Sequence, residues 1–231
     1  MDSGLQSHFG QFSAYRCSSG CALEQSIEGL GRCRPGRFDD CEDTISKAIV
    51  LLLLMAPLLA PRPAGARSVA GTEMPDSVRV QDAFLTLNGV AIYKKFGIQF
   101  LVSGLWLDHL EQDAGKILDS DLPRMSVTHF LHRVSSKRIC KTWRKGLREN
   151  SPEASIDVRE QFETLYGWTR DFAPGDEITV TYVPGLGSTV DIGGVFMGSL
   201  PGKPFADAFF ACALGPKPAP GDKFKKGLLG R

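Results

Sequence analysis

The feature that most constrains this chain is the stretch Ala91–Leu107, AIYKKFGIQFLVSGLWL, which is dominated by β-branched and aromatic residues. Such residues fit a pleated, half-buried surface far better than a solvated helix. Lys94-Lys95 breaks the run once and Gly97 breaks it again. The pattern predicts two strands joined by a bend, or one long strand with a bulge, through the middle of a sheet. A cationic pair at the break between two apolar runs is unusual for strands of this kind.

Upstream, Lys47 precedes Ala48–Ala60, a 13-residue apolar run that is short for a bilayer span and of the length of a signal-peptide core. Pro61-Arg-Pro63 and then Ala64-Gly-Ala66 follow, the latter an A-x-A cleavage pattern. A secretory signal begins with a short basic segment, whereas 47 residues stand ahead of this run, Asp39-Asp-Cys-Glu-Asp43 among them. Residues 1–43 therefore read as a non-native or disordered leader, from a start placed too early or as a biological extension. Residues 44–66 read as the signal peptide, so the expected location is exported, periplasmic or secreted. Cys17, Cys21, Cys33 and Cys41 are spaced C-x3-C-x11-C-x7-C, which matches no zinc template, and no metal or other cofactor is expected. Excluding residues 1–66 of the 231 leaves 165, enough for one domain with a core.

That remainder carries 21 Lys+Arg against 19 Asp+Glu, so no global charge points to nucleic acid. Residues 67–83 are polar and read as a lead-in to a domain spanning 84–231. Phe84–Leu87 starts the sheet, with Asn88-Gly89 as a hairpin signal. Asp113 caps a short helix from Ala114 to Leu118. Met125–Val134 is a strand with neither face cleanly apolar, as for one lining a partly polar cavity. Its His129 and His132 point to opposite faces and cannot share a metal.

The period then becomes helical from Ser136 to Leu147. Lys137, Lys141, Arg144 and Arg148 form one stripe, and Ile139, Trp143 and Leu147 the opposite one. The basic stripe reads as a solvated face, because no aromatic residues interleave with it. A second helix is expected over Ile156–Phe172, with Val158, Phe162, Leu165, Trp168 and Phe172 facing the core. Strands follow at Glu177–Val183, Ser188–Ile192 and Val195–Leu200, with Gly193-Gly194 as a hairpin turn. Pro204–Leu214 is the last helix, followed by a tail ending KFKKGLLG. The order gives an α+β fold, a large antiparallel sheet covered by helices on one face, with an apolar cleft between the layers.

From about residue 84 to 230 the sequence resembles the chalcone isomerase-like family, in its small exported bacterial branch. The matching pieces include Leu87-Asn-Gly89, Lys95–Leu107, Phe130-Leu131, Arg133-Val134, Trp143, Asn150, Gly175-Asp176, Tyr182–Gly185, Gly187–Thr189, Phe205-Ala206 and the closing Lys226–Gly230. The resemblance implies an open-faced β-sandwich. Family members that catalyse are intramolecular lyases, isomerases that close a flavanone ring by adding a phenolate oxygen to an enone. An arginine of the early strand holds the anionic oxygen, and a threonine and a helix tyrosine stabilise the growing enolate. Members that do not catalyse bind fatty acids. Here Tyr93 stands in the arginine's place, Leu101 near the threonine's, and Arg138 or Ile139 near the tyrosine's.

The expectation is therefore an exported domain that binds a small hydrophobic or fatty-acid-like ligand without catalysis. The ligand-binding candidates are Tyr93, Lys94, Phe100, Leu101, His129 and Arg138. The alternative is an isomerase acting on a chalcone-like or other conjugated substrate through Tyr93, Lys94 and His129, with Tyr93 the catalytic candidate. Neither nucleic acid nor any membrane contact beyond an uncleaved signal peptide is expected.

Overall fold

The central apolar stretch forms two adjacent strands of one sheet. The computed structural model describes residues 65–231; the four N-terminal cysteines and the apolar run 48–60 lie outside them. In chain order the elements are β1 (Ala66–Val69), β2 (Thr72–Pro75), β3 (Ser77–Val80), β4 (Ala83–Lys95), β5 (Ile98–Leu107) and α1 (Ala114–Asp119). There follow β6 (Arg124–Phe130), α2 (Ser136–Asn150), α3 (Ile156–Trp168), β7 (Glu177–Val183), β8 (Gly187–Ile192), β9 (Val195–Leu200), α4 (Lys203–Leu214) and α5 (Asp222–Leu228). Strands β3 to β9 form a seven-stranded antiparallel meander in sequence order. The α+β architecture with a large antiparallel sheet is as the sequence implied.

One face of the sheet packs against the helices. Phe162, Leu165, Phe205 and Cys212 meet Phe130, Ile178 and Val190 of the strands, while Phe210, Leu214, Phe224 and Leu228 meet Ala91, Leu105 and Tyr182. On α2 Lys137, Lys141, Arg144 and Arg148 are exposed, as are Arg138 and Lys145, and Ile139, Trp143 and Leu147 lean on the core. The two stripes read from periodicity are thus the two faces of the helix.

The opposite sheet face corrects one expectation. Residues 67–83, read as a lead-in because they are polar, form three strands. β1 and β2 make a hairpin whose Met74 joins Leu85, Leu87, Val102, Trp106 and Met125 in a third apolar cluster. Trp106 is 1 % exposed and donates its indole N–H to Pro75 O at 2.9 Å. A fully buried ring of that size stabilises by about 3–5 kcal/mol, so the hairpin is part of the domain.

Asn88-Gly89 is not a hairpin turn. Both residues lie inside β4, where the register against β5 slips between Leu87 and Gly89. The real turn is Phe96-Gly97, with φ of +51° and +79°. Asn88 instead holds the end of the chain: its Nδ2 donates to Leu228 O at 2.9 Å, and its Oδ1 accepts from Glu111 N at 2.8 Å. The terminal KFKKGLLG segment, read as a tail, is largely helix α5 docked on that bulge, with Phe224 and Leu228 buried.

Helix α3 stops four residues earlier than its apolar stripe suggests. Pro174 disfavours a helical Ala173, and Phe172 leaves the helix to form a bridge with Val134. There it stacks on Phe130 with ring centroids 3.9 Å apart. The stripe was core throughout, but its last member reaches the core in extended conformation.

Candidate functional site

The cavity arises from small residues at the centre of the inner sheet face. On β5 the inward positions are Leu101, Ser103, Leu105 and Leu107; on β6 they are Arg124, Ser126, Thr128 and Phe130. Ser103, Ser126 and Thr128 stand where larger side chains would fill the space under α2 and α4. A cavity of about 150 Å³ remains, roofed by Ile139, Thr142, Trp143, Phe209 and Cys212, and closed on another side by Phe224 and Leu228 of α5. That volume equals one known to hold a benzene-sized solute in a protein core.

Three polar features mark this mainly apolar space. Ser103 and Thr128 are direct cross-strand partners, and their hydroxyl oxygens lie 2.6 Å apart. Each thereby satisfies the other, as burial of a hydroxyl requires. Tyr93, half-buried on β4, and Arg138, exposed in the first turn of α2, also line the cavity. Because Arg138 is both exposed and part of the wall, the cavity reaches solvent beside it. Phe100 sits between the two, with the Tyr93 ring centroid at 6.5 Å and the Arg138 Cζ at 5.8 Å. Among the described residues Arg138 has no ion-pair partner within 4 Å.

Arg124 is the other cation in contact with this face; both tips of its guanidinium fork are engaged, and its buried Nε has no hydrogen-bond partner among the described residues. It is 1 % exposed, donates from Nη1 to Ile117 O at 2.7 Å, and pairs through Nη2 with Asp207, which also takes Lys203 Nζ at 2.7 Å. Its guanidinium lies over the Tyr182 and Phe210 rings at 5.1 and 5.0 Å. Tyr182 in turn donates to Asp121, and burial first, then that carboxylate, pushes the phenol up to about 12. This network ties β6 and β7 to α1 and α4, and leaves Arg138 as the cation available to a ligand.

Four of the six residues expected from sequence are brought together here: Tyr93, Phe100, Leu101 and Arg138. Lys94 and His129 are not. Lys94 is exposed beyond the bulge that separates it from Tyr93. His129 pairs with Val102 on the other face of the sheet, with its Nδ1 3.3 Å from Glu177 Oε2. Burial pulls its pKa below the ordinary value, and Glu177 opposes that shift. The constellation of Tyr93, Lys94 and His129 is therefore not assembled in one place.

Sequence reasoning missed Ser103, Ser126, Thr128 and Thr142. The signal for three of them was present: one serine within Phe100–Leu107, and hydroxyls at alternate positions of the strand whose faces were both mixed. Cys212, also in the wall, is a free thiol that burial pushes up to about 12, so it stays protonated and unreactive at neutral pH.

The sequence pattern of the chalcone isomerase-like family matches residues 66–230. No curated protein sequence matches the chain. Among solved structures the chain is similar to a fatty-acid binding protein of Arabidopsis thaliana, with 15% identity and a TM-score of 0.57. The likeness covers 71% of this chain and 96% of that one, and it shows a shared fold.

Proposed function

Because the chain belongs to the chalcone isomerase-like family, we propose that its cavity binds a small amphipathic carboxylate, of fatty-acid type, without turning it over. The carrying observation is Arg138, a guanidinium without an ion-pair partner among the described residues, at the open end of a mainly apolar cavity. A carboxylate there gains charge-assisted hydrogen bonds from a planar fork while its apolar part leaves water. The volume of about 150 Å³ favours a short or medium chain, or a single aryl ring, over a long acyl chain. The Arabidopsis protein of like fold, described as a fatty-acid binding protein, supports the class of ligand.

The resemblance to catalytic members assigns an arginine to the strand and a tyrosine to the helix. Here the two types are exchanged across the cavity, with Tyr93 on β4 and Arg138 on α2. Arg138 or Ile139 in the tyrosine's place and Leu101 in the threonine's leave the enolate of a cyclisation without its positioned donors. The Ser103–Thr128 pair spends one hydroxyl hydrogen on itself, so it offers at most one to a ligand. Chalcone cyclisation is expected to run at the spontaneous rate.

Calorimetry with octanoate and octanol separates the alternatives. The expected result is that octanoate binds more tightly than octanol, and that Arg138→Gln removes most of the difference. Equal binding of the two by the wild type would refute the role of Arg138.

Export belongs to the same reading. Ala66 is the first residue of β1, paired with Pro75, so cleavage after it removes that terminal pair of the hairpin and the Asp76 N–H to Gly65 O hydrogen bond beside it. N-terminal sequencing of the secreted product should begin at Arg67. A product retaining residues 1–43 would contradict it.

A further inference from the structure

We propose that the β4–β5 hairpin tip, Lys94-Lys95-Phe96-Gly97-Ile98, is a docking element for an anionic lipid surface, placed beside the mouth of the cavity. Its geometry is uneconomical for any purpose inside the domain. Two-residue turns with both residues at positive φ ordinarily take Asn-Gly or Gly-Gly, because a bulky side chain is strained there. Here the first position is Phe96, at φ +51° and 90 % exposed. The Nζ of its neighbour Lys95 lies 5.4 Å from the ring centroid. Ile98, the cross-strand partner of Lys95, is also exposed. An aromatic and an aliphatic side chain held out in water beside two lysines match an interface with apolar chains below and anionic headgroups above.

The surroundings favour the same partner. Neither β4 nor β5 contains an acidic residue, and none occurs from Phe130 to Arg148. Around Phe100 the exposed His132 ring lies at 5.9 Å and Arg138 at 5.8 Å, and Lys137 is exposed beside Arg138. The carboxylate of Asp171 is engaged by the Ser136 N–H at that end of α2. The tip begins one residue pair beyond Tyr93 and Leu101, which line the cavity, so a surface that received Phe96 would lie next to the opening. An amphipathic ligand could then pass between membrane and cavity with little exposure of its apolar part. This goes beyond the ligand reading of the cavity, and beyond the expectation that only an uncleaved signal peptide touches a membrane.

The test uses the full chain with a probe confined to the tip, so that the apolar run 48–60 cannot mimic the effect. Phe96→Trp adds one indole to the three present, and the wild-type emission is subtracted. Vesicles of phosphatidylcholine alone, or mixed equally with phosphatidylglycerol, carry bromine on the acyl chains as a quencher. The added emission should shift to the blue and be quenched in the mixed vesicles, and much less in phosphatidylcholine alone. Leu186→Trp, in the exposed β7–β8 turn, should remain unquenched. Lys94→Glu with Lys95→Glu in the Phe96→Trp background should weaken the vesicle affinity read at that indole by at least about tenfold. Absence of quenching at position 96, equal quenching at 186, or no effect of the charge reversal would overturn the proposal. Octanoate binding by Phe96→Trp without vesicles reports the cavity separately, so either reading can fail without the other.

Discussion

Gly89→Ala should release the C-terminal helix from the sheet. A Cβ at position 89 would meet Gly227 O at 2.3 Å, Leu228 O at 2.5 Å and Gly230 N at 2.7 Å, all backbone atoms that no rotamer change can move aside. Separation to ordinary van der Waals contact requires α5 or β4 to shift by about 1 Å. Such a shift breaks the Asn88 to Leu228 hydrogen bond and unseats Phe224 and Leu228, both buried. Overpacking alone costs about 1–3 kcal/mol, and full exposure of the two side chains about 3–6 kcal/mol. We expect a loss of about 3 kcal/mol or more, seen as a urea midpoint lowered by about 1–2 M. Because Phe224 and Leu228 close one side of the cavity, octanoate binding should fall as well. Gly167→Ala is the matched control: it lies in α3, has nothing within 4 Å of a built Cβ, and should change stability by less than about 1 kcal/mol. Equal midpoints for Gly89→Ala and the wild type would refute the docking of α5 on the Asn88-Gly89 bulge.

Two further outcomes follow from the packing and the charges. Trp143→Ala should destabilise by about 2–4 kcal/mol, since the half-buried indole packs 6.5 Å from the Tyr166 ring and 5.9 Å from that of Phe209, while Lys141→Ala should stay within about 0.5 kcal/mol. Comparable losses in a denaturant titration would reverse the assignment of the faces of α2. His129 has a folded pKa below its ordinary value because it is partly buried, so protonation favours the unfolded chain. Its neutral form therefore supports full stability above the unfolded value of about 6.5, and stability declines as pH falls from there toward the folded value. His129→Gln should flatten that part of the stability–pH curve, and an unchanged slope would remove His129 as its source.

Strands β5 to β9, the α2 stripes and most helix starts were legible because each depends on local periodicity and caps. Asp113, for instance, accepts Gly115 N at 2.8 Å. What was misread depends on contacts far apart in sequence. Asn88-Gly89 has the chemistry of a turn, but its partner is the end of the chain, 140 residues away. The segment KFKKGLLG, read as a tail, is short and rich in lysine and glycine, and it is held as a helix by the sheet. Residues 67–83 read as polar because only Met74, Val69, Val78, Val80 and Ala83 turn inward from strands on the less covered face. At the site, Tyr93, Leu101 and Arg138 could be found through the family resemblance, since aligned positions share a place in the fold. The hydroxyls that keep the cavity open could not, because their meaning lies in the size of what they replace. Lys94 failed as a candidate because a bulge between Tyr93 and Lys94 carries it past the cavity.

The most direct measurement is the pKa of a bound ligand's own carboxyl group. Octanoate labelled with ¹³C at that carbon, bound to the protein and titrated by NMR, reports the charge beside it. If Arg138 meets the carboxylate, the bound group must titrate below the free acid, and Arg138→Gln must move it back up. A bound carboxyl that titrates above the free acid, or whose pKa ignores Arg138→Gln, would mean an apolar cavity that takes the ligand without reading its charge.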